Sequence, residues 1–385
     1  MNLIGKITLL LLFTFSIVFA GGVVYIYLIF SGIVSFYGQI IIMICAGAIF
    51  FTANGLFQWI KKRNTMKLAI CYIIILLLVI GVNVGTDIYK ESLATVDQEL
   101  DVTLFQPFEN ENTIAKLDDQ SNLQLSNDLP KLDGATALYP LYAAFAQATY
   151  PEKTYPTDRG EVIVSTTPDA YKNLINGKVD IIFAAGPSQR QIQEAERAGI
   201  EFQLTPIGRE AFVFFVNANN SIDDLSIEQI QSIYSGAITN WSEVGGGNGK
   251  ILAFQRPEDS GSQTALENLM GDIPLTKAPS EAIVSGMGEI IQEVSHYTNY
   301  RNAIGYSFRY YSMELIRNDE IKHIAINGVY PDKETIRSGE YPISSEFYAI
   351  TTNTDNPNVE KFLEWILSEQ GQWLVEETGY VPVHN

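Results

Sequence analysis

From Ile7 to Ile60 the chain carries no Asp, Glu, Lys or Arg, an uncharged run of 54 residues. A helix crosses the hydrocarbon core of a bilayer in about 20 residues, so the run is long enough for two crossings with a break between them. The break is expected in Ser31-Gly-Ile-Val-Ser-Phe-Tyr-Gly38, where glycine and serine permit a turn and aromatic rings suit the interface. A third apolar stretch, Leu68 to Gly85, follows Lys67 and ends at Thr86-Asp87. Basic residues flanking membrane spans stay cytoplasmic, so the loop holding Lys61, Lys62, Arg63 and Lys67 is expected inside and everything after Asp87 outside. Lys6 agrees with that orientation. The alternative for the first span is a signal peptide cut after Ala20, although its apolar run outlasts the 7 to 15 residues of an ordinary signal core.

Charge divides the chain at the same place. Residues 1 to 89 hold five basic groups and one acid, a net of +4, leaving 20 basic and 43 acidic groups after them, a net of -23. The acidic part, nearly 300 residues, is long enough for roughly two domains of 100 to 150 residues. It has no basic footprint with which to displace counterions, which argues against nucleic acid as a partner. Cys45 and Cys71 both lie in the expected spans, so the outer part has no disulfide and depends on its core alone. Neither follows the small residue that a lipid-attachment site would want.

Residues 90 to 130 read as an acidic extracytoplasmic linker, with a short helix at Leu93 to Leu100 and little other periodicity. Folded structure is expected from about Leu132. Helical patterns at Thr136–Ala148, Asp169–Asn176, Ser188–Ala198, Ser226–Ser235, Gln263–Met270 and Val359–Thr378 alternate with extended ones at Glu161–Ser165, Val179–Ala184, Ala211–Val216, Ile251–Gln255, Ala303–Ser307 and Phe347–Thr351. Such alternation predicts an α/β fold with helices covering a sheet.

Three strand-to-helix junctions concentrate hydroxyls and free backbone N–H groups at the positive ends of helix dipoles. They are Asp133-Gly-Ala-Thr136, Ser165-Thr-Thr-Pro168 with Thr167 as the expected N-cap, and Arg256-Pro-Glu-Asp-Ser-Gly-Ser262. Each suits a small anion, and Arg256 adds a planar fork for an oxyanion. For any one of them taken alone ordinary helix capping is the better explanation; convergence of all three would favour the anion site.

Five strings, Leu132-Asp-Gly-Ala-Thr-Ala-Leu-Tyr-Pro-Leu-Tyr142, Ile230 to Gly246 with its Ile-Tyr-Ser-Gly-Ala-Ile-Thr-Asn-Trp centre, Arg256 to Gln263, Ile304-Gly-Tyr306 and Gly379-Tyr-Val-Pro382, together resemble the phosphate-binding proteins of phosphate ABC transporters, over about residues 131 to 385. The resemblance implies a two-lobed, periplasmic-binding-protein-like fold of type II, preceded here by three transmembrane helices in residues 1 to 89. Lobe one would combine about 131–216 with 343–385, and lobe two about 217–342, closing on a ligand around crossing segments. Carried over by position, Thr136 and Ala137 would meet the anion from the first loop and Thr167 from the second, with Thr166 as the alternative. Arg256 would be the counter-charge, Ser260 and Ser262 hydroxyl donors, and Gly261 a backbone donor. The family's carboxylate acceptor falls on Ala185, which puts selectivity between phosphate and sulfate in question; Glu258 and Asp259 are alternative acceptors or plain solvated loop carboxylates.

Other chemistry finds no support. Asp259-Ser-Gly261 has no histidine in a catalytic context, since His296, His323 and His384 are scattered. No His or Cys cluster has metal-ligand spacing, and Gly245-Gly-Gly-Asn-Gly249 lacks the Lys-Ser/Thr of a phosphate loop. Trp241, Trp365 and Trp373 read as core or helix-face anchors, while His296 and Tyr306 are within reach of the cleft. The expectation is therefore a non-enzymatic receptor without cofactor or metal, membrane-tethered and multi-pass with its C-terminal domain outside, that captures inorganic phosphate or a similar tetrahedral oxyanion. Its partners would be an ABC permease and ATPase. The alternative is a membrane-anchored anion sensor.

Overall fold

The computed structural model describes residues 2–30, 34–92, 100–279, 282–295 and 302–383. Two compact units divide at Thr95 and Val96.

The first unit holds α1 (Leu3–Phe30), α2 (Val34–Phe57) and α3 (Lys62–Ser92), each containing a window long and apolar enough to cross a membrane, with mean hydropathies of 2.4, 2.2 and 2.1. Val34 to Gly38 belong to α2 rather than to the expected turn; Ser31 to Ile33 lie outside the described residues. Asn54, 3% exposed, fixes the α2–α3 turn: its Oδ1 accepts from Ile60 N at 2.9 Å and its Nδ2 donates to Thr65 Oγ1 at 2.8 Å. Lys6 Nζ lies 6.0 Å from the Phe57 ring centroid, which brings the start of α1 beside the end of α2. The basic loop and Lys6 therefore share one end of this unit.

The second unit is mixed α/β, as expected. The segment expected to begin lobe one holds β1 (Leu132–Gly134), α4 (Tyr139–Thr149), α5 (Thr167–Ile175), β2 (Ile181–Ala184) and α6 (Gln189–Arg197). The long β3 (Gln203–Asn217) leads out of it. Lobe two follows with β4 (Asp224–Leu225), α7 (Ile227–Tyr234), β5 (Leu252–Ala253), α8 (Gly261–Met270), α9 (Met287–Ser295), β6 (Ala303–Phe308), β7 (Ile321–His323), β8 (Ala325–Ile326) and α10 (Lys333–Ser338). The chain returns through β9 (Ser344–Thr351), α11 (Val359–Ile366), α12 (Glu369–Thr378) and β10 (Val381–Pro382).

The sheet order is β1-β2-β9-β3-β6-β5, with β7 and β10 also paired to β3. β3 joins the lobes: residues 203–211 pair with β9, and 212–216 pair with β6. A bulge between Pro206 and Gly208 bends its first half. Two large apolar clusters fill the unit, one built around Tyr139, Phe145, Phe183 and Phe362, the other around Phe214, Ile230, Ile290 and Ile304, and a smaller one holds Tyr171, Leu174 and Ile182. β2, the second half of β3 and β6 are apolar runs buried on both faces, because helices cover the sheet on each side.

Two expectations need correction. Most of the expected linker is folded: from Asp101 to Pro130 the chain lies on lobe one, with Phe105, Ile114 and Leu125 buried in its core. Asp101 caps a 3-10 turn at Val102–Phe105, and Asn112 Nδ2 donates to Gln147 Oε1 at 2.7 Å. These apolar residues are irregularly spaced, so no periodicity announced them; residues 93 to 99 of the expected short helix lie outside the described residues. The single closing helix is instead two. α11 stops because Ser368 caps α12 and because Gly371 packs so tightly that a Cβ there would meet Ile366 O at 2.2 Å.

Candidate functional site

Loop one begins where β1 meets β2. A Cβ on Gly134 would come within 2.5 Å of Phe183 O, so only glycine lets β1 lie this close. Its neighbour Asp133, fully buried, accepts from Gly134 N at 2.8 Å and from Asn173 Nδ2 at 2.9 Å, and also holds Ser165. Asp133 thereby locks the first and second loops together; burial nonetheless raises its carboxyl above the usual range. Thr136 is half-buried in a 3-10 turn ahead of α4, and Ala137, 5% exposed, packs into the apolar core of lobe two.

In loop two the N-cap of α5 is Thr166, not the expected Thr167. Thr166 is exposed and its hydroxyl donates to Asp169 Oδ2 at 3.0 Å. Thr167 starts the helix, is buried, and faces the cleft.

Loop three precedes α8. Ser260 is its N-cap, accepting from Gln263 N at 3.4 Å. Gly261 is pressed against lobe one, since a Cβ on it would lie 3.3 Å from Thr167 Oγ1. Ser262 is 1% exposed, and among the described residues its Oγ has no hydrogen-bond partner. Tyr306 stands behind this loop, fully buried, its hydroxyl accepting from Arg256 N at 2.9 Å and donating to Gln263 Oε1. Burial keeps that phenol protonated well above its ordinary range. Arg256 is half-buried and its Nη2 donates to Ser285 O at 2.7 Å.

A cleft with about 460 Å³ of space, part of it open to solvent, brings Ala137, Thr167, Ala185 and Gly261 together. Thr136, Thr166, Arg256, Ser260 and Ser262 lie outside its lining. Two carboxylates that the sequence did not single out do line it, Glu210 and Glu346. Glu210, 5% exposed, accepts from Ala211 N at 2.8 Å and Tyr310 N at 3.1 Å, and burial pushes its carboxyl up to about 7. Ala185 carries no acceptor side chain, and its carbonyl takes the Tyr171 hydroxyl at 2.7 Å. The proposed substitute carboxylates behave differently: Glu258 is 85% exposed, while Asp259 is engaged with Ser188 and Arg190.

Among the described residues no group of His, Cys, Asp and Glu side chains could hold a metal. His323 is half-buried, its Nε2 2.9 Å from Ser312 Oγ, with its pKa lowered to about 4 by desolvation; His296 and His384 lie outside the described residues. Trp241 and Trp365 are core residues, whereas Trp373 is 37% exposed.

Comparison with known proteins identifies the family of the second unit. A family profile described as "PBP superfamily domain" matches residues 127–370. The phosphate-binding protein PstS of Borreliella burgdorferi is 29% identical over 219 residues, covering 54% of this chain and 76% of that protein. PstS of Bacillus subtilis is 27% identical over 258 residues, covering 66% and 80%. A solved structure, a putative phosphate ABC transporter substrate-binding protein with bound phosphate from Clostridium perfringens, is 26% identical and superposes with a TM-score of 0.51, covering 67% of this chain and all of the other.

Proposed function

We propose, from the premise that the chain belongs to the PBP superfamily, that it is a membrane-tethered, extracytoplasmic receptor that captures inorganic phosphate for an ABC permease and its ATPase. The observation that carries this reading is the Ser262 hydroxyl, buried and, among the described residues, without a partner, at the N-terminal turn of α8 beside the Gly261–Thr167 pinch. A buried polar group left unpaired costs about 1 to 3 kcal/mol, and an anion at a helix N-terminus would satisfy it. Ala137, Thr136 and Thr167 would supply donors from lobe one; Ser260, Gly261 and Ser262 from lobe two. Arg256, within the same loop, would be the counter-charge, with Thr166 limited to capping α5. The relatives named as phosphate-binding proteins support the choice of ligand.

Selectivity would rest on Glu210. Monoprotonated phosphate has a proton to donate and sulfate has none, so a carboxyl acceptor favours phosphate. Ala185 cannot provide one, and Glu210 is the buried carboxyl in the same cleft. The positive cluster of Lys61, Lys62, Arg63 and Lys67 would hold one end of the helical unit at the cytoplasmic face, leaving the acidic unit outside. Equilibrium binding of radiolabelled phosphate to the full chain, with sulfate, arsenate, molybdate and tungstate as competitors, tests the reading. Saturable binding displaced by arsenate and not by sulfate is expected. Displacement by molybdate or tungstate at lower concentration than phosphate would reassign the ligand.

A further inference from the structure

Asp259 adopts a left-handed backbone conformation, φ 65°, where glycine would be unstrained and an L side chain is uncommon. Its carboxylate reaches the start of α6. Oδ1 accepts from the Ser188 hydroxyl at 2.7 Å, and Oδ2 lies 3.1 Å from Arg190 Nη1, with only 13% of the side chain exposed. The backbone joins in as well, because Gln191 Nε2 donates to Asp259 O at 3.4 Å. Ser188 is the N-cap of α6, so the carboxylate also meets the positive end of that nine-residue helix. Arg190 is held in place from its other side by Glu194, Nε to Oε1 3.1 Å, and its Nη1 lies 3.9 Å from Glu258.

The two ends of this bridge belong to different lobes. Ser188 and Arg190 follow β2, three and five residues beyond the cleft residue Ala185; Asp259 follows β5 and immediately precedes Ser260, Gly261 and Ser262. We infer that Asp259, with Ser188 and Arg190, is a closure latch: a set of positioning residues that touch no ligand but clamp the α8 loop against lobe one once the lobes have met. The inference rests on the proposed capture of an anion between the lobes. A latch that forms whenever the lobes meet, with or without ligand, slows ligand escape more than it slows capture.

The local strain supplies the control. Asp259→Gly removes the carboxylate while relieving the backbone, so it separates latching from folding. Arg190→Ala removes the other partner from an exposed helix position. In the full chain reconstituted in nanodiscs, each variant is expected to weaken inorganic phosphate binding by about three- to thirtyfold, mainly through faster dissociation. Combining them should cost no more than the larger single effect, because both cut one bridge. Asp259→Gly should melt no lower than wild type without ligand. Hydrogen exchange without phosphate reads the latch separately, and faster exchange confined to residues 185–191 and 259–263 is expected in both variants. Unchanged exchange there, or unchanged dissociation in a wild type that binds phosphate, overturns the latch. If wild type binds no phosphate, the proposed ligand fails and the exchange result alone decides the latch.

Discussion

The Tyr380 hydroxyl donates to the Ala137 carbonyl oxygen at 2.7 Å, tying residues 243 positions apart. Tyr380 is buried, lines the cleft and precedes β10, which pairs with β3 at Arg209 and Gly208. The last turn of the chain thus fixes the first loop of the site, which gives Gly379-Tyr-Val-Pro382 a physical role. Tyr380→Phe should cost about 1 to 3 kcal/mol by chemical denaturation, because the Ala137 carbonyl would lose its buried donor. Phosphate affinity of the folded variant should fall severalfold as loop one loosens.

Asp133 locks loops one and two from beneath. Replacing it with Ala would strip partners from Gly134 N, Asn173 and Ser165 together. A loss of about 2 to 4 kcal/mol is expected in urea unfolding, far more than for Thr166→Ala, whose hydroxyl is exposed.

Glu210 gives stability a pH signature. Burial raises its folded pKa from 4.5 to about 7, so folding takes up a proton between those values. Its contribution is most favourable below pH 4.5 and is lost as pH rises through 7, on the order of 3 kcal/mol in all. Unfolding measured from pH 5 to 8 should therefore show Glu210→Gln gaining on wild type as pH increases. The same variant should narrow the preference for phosphate over sulfate, and an unchanged preference would remove Glu210 as the acceptor.

Orientation of the helical unit is open to direct assay. A reporter inserted in Lys61–Lys67 should be active only in the cytoplasm, and one fused after Asp87 only outside. The reverse pattern would place the acidic unit where no extracytoplasmic receptor could work.

Much of this molecule is legible in its sequence, but unevenly. Arg256 to Gln263 forms a contiguous string, so its junction with α8 could be located before any contact was known. The apolar runs that located β2 and the second half of β3 follow from burial of both faces of those strands. Thr167 was misassigned by one position because Thr166 and Thr167 are equally good caps by chemistry, and only the backbone decides. Phe105, Ile114 and Leu125 fill the lobe-one core from irregular chain, for which no period exists. Glu210 and the Asp259–Ser188 contact, 71 residues apart, depend on how β3 and the two lobes bring distant segments together. No local pattern records that.

The central claim is that an oxyanion binds among the converging helix ends, with Arg256 as its counter-charge. Calorimetric titration of the full chain with inorganic phosphate tests it most directly when wild type, Ser262→Ala and Arg256→Ala are compared. Hydrogen bonds to charged groups are worth about 1.5 to 3 kcal/mol, so Arg256→Ala should weaken binding by roughly ten- to over a hundredfold while the melting temperature without ligand stays near wild type. Ser262→Ala should cost less, about three- to tenfold. Wild-type affinity in a folded Arg256→Ala protein would contradict the account and reduce the three junctions to ordinary caps.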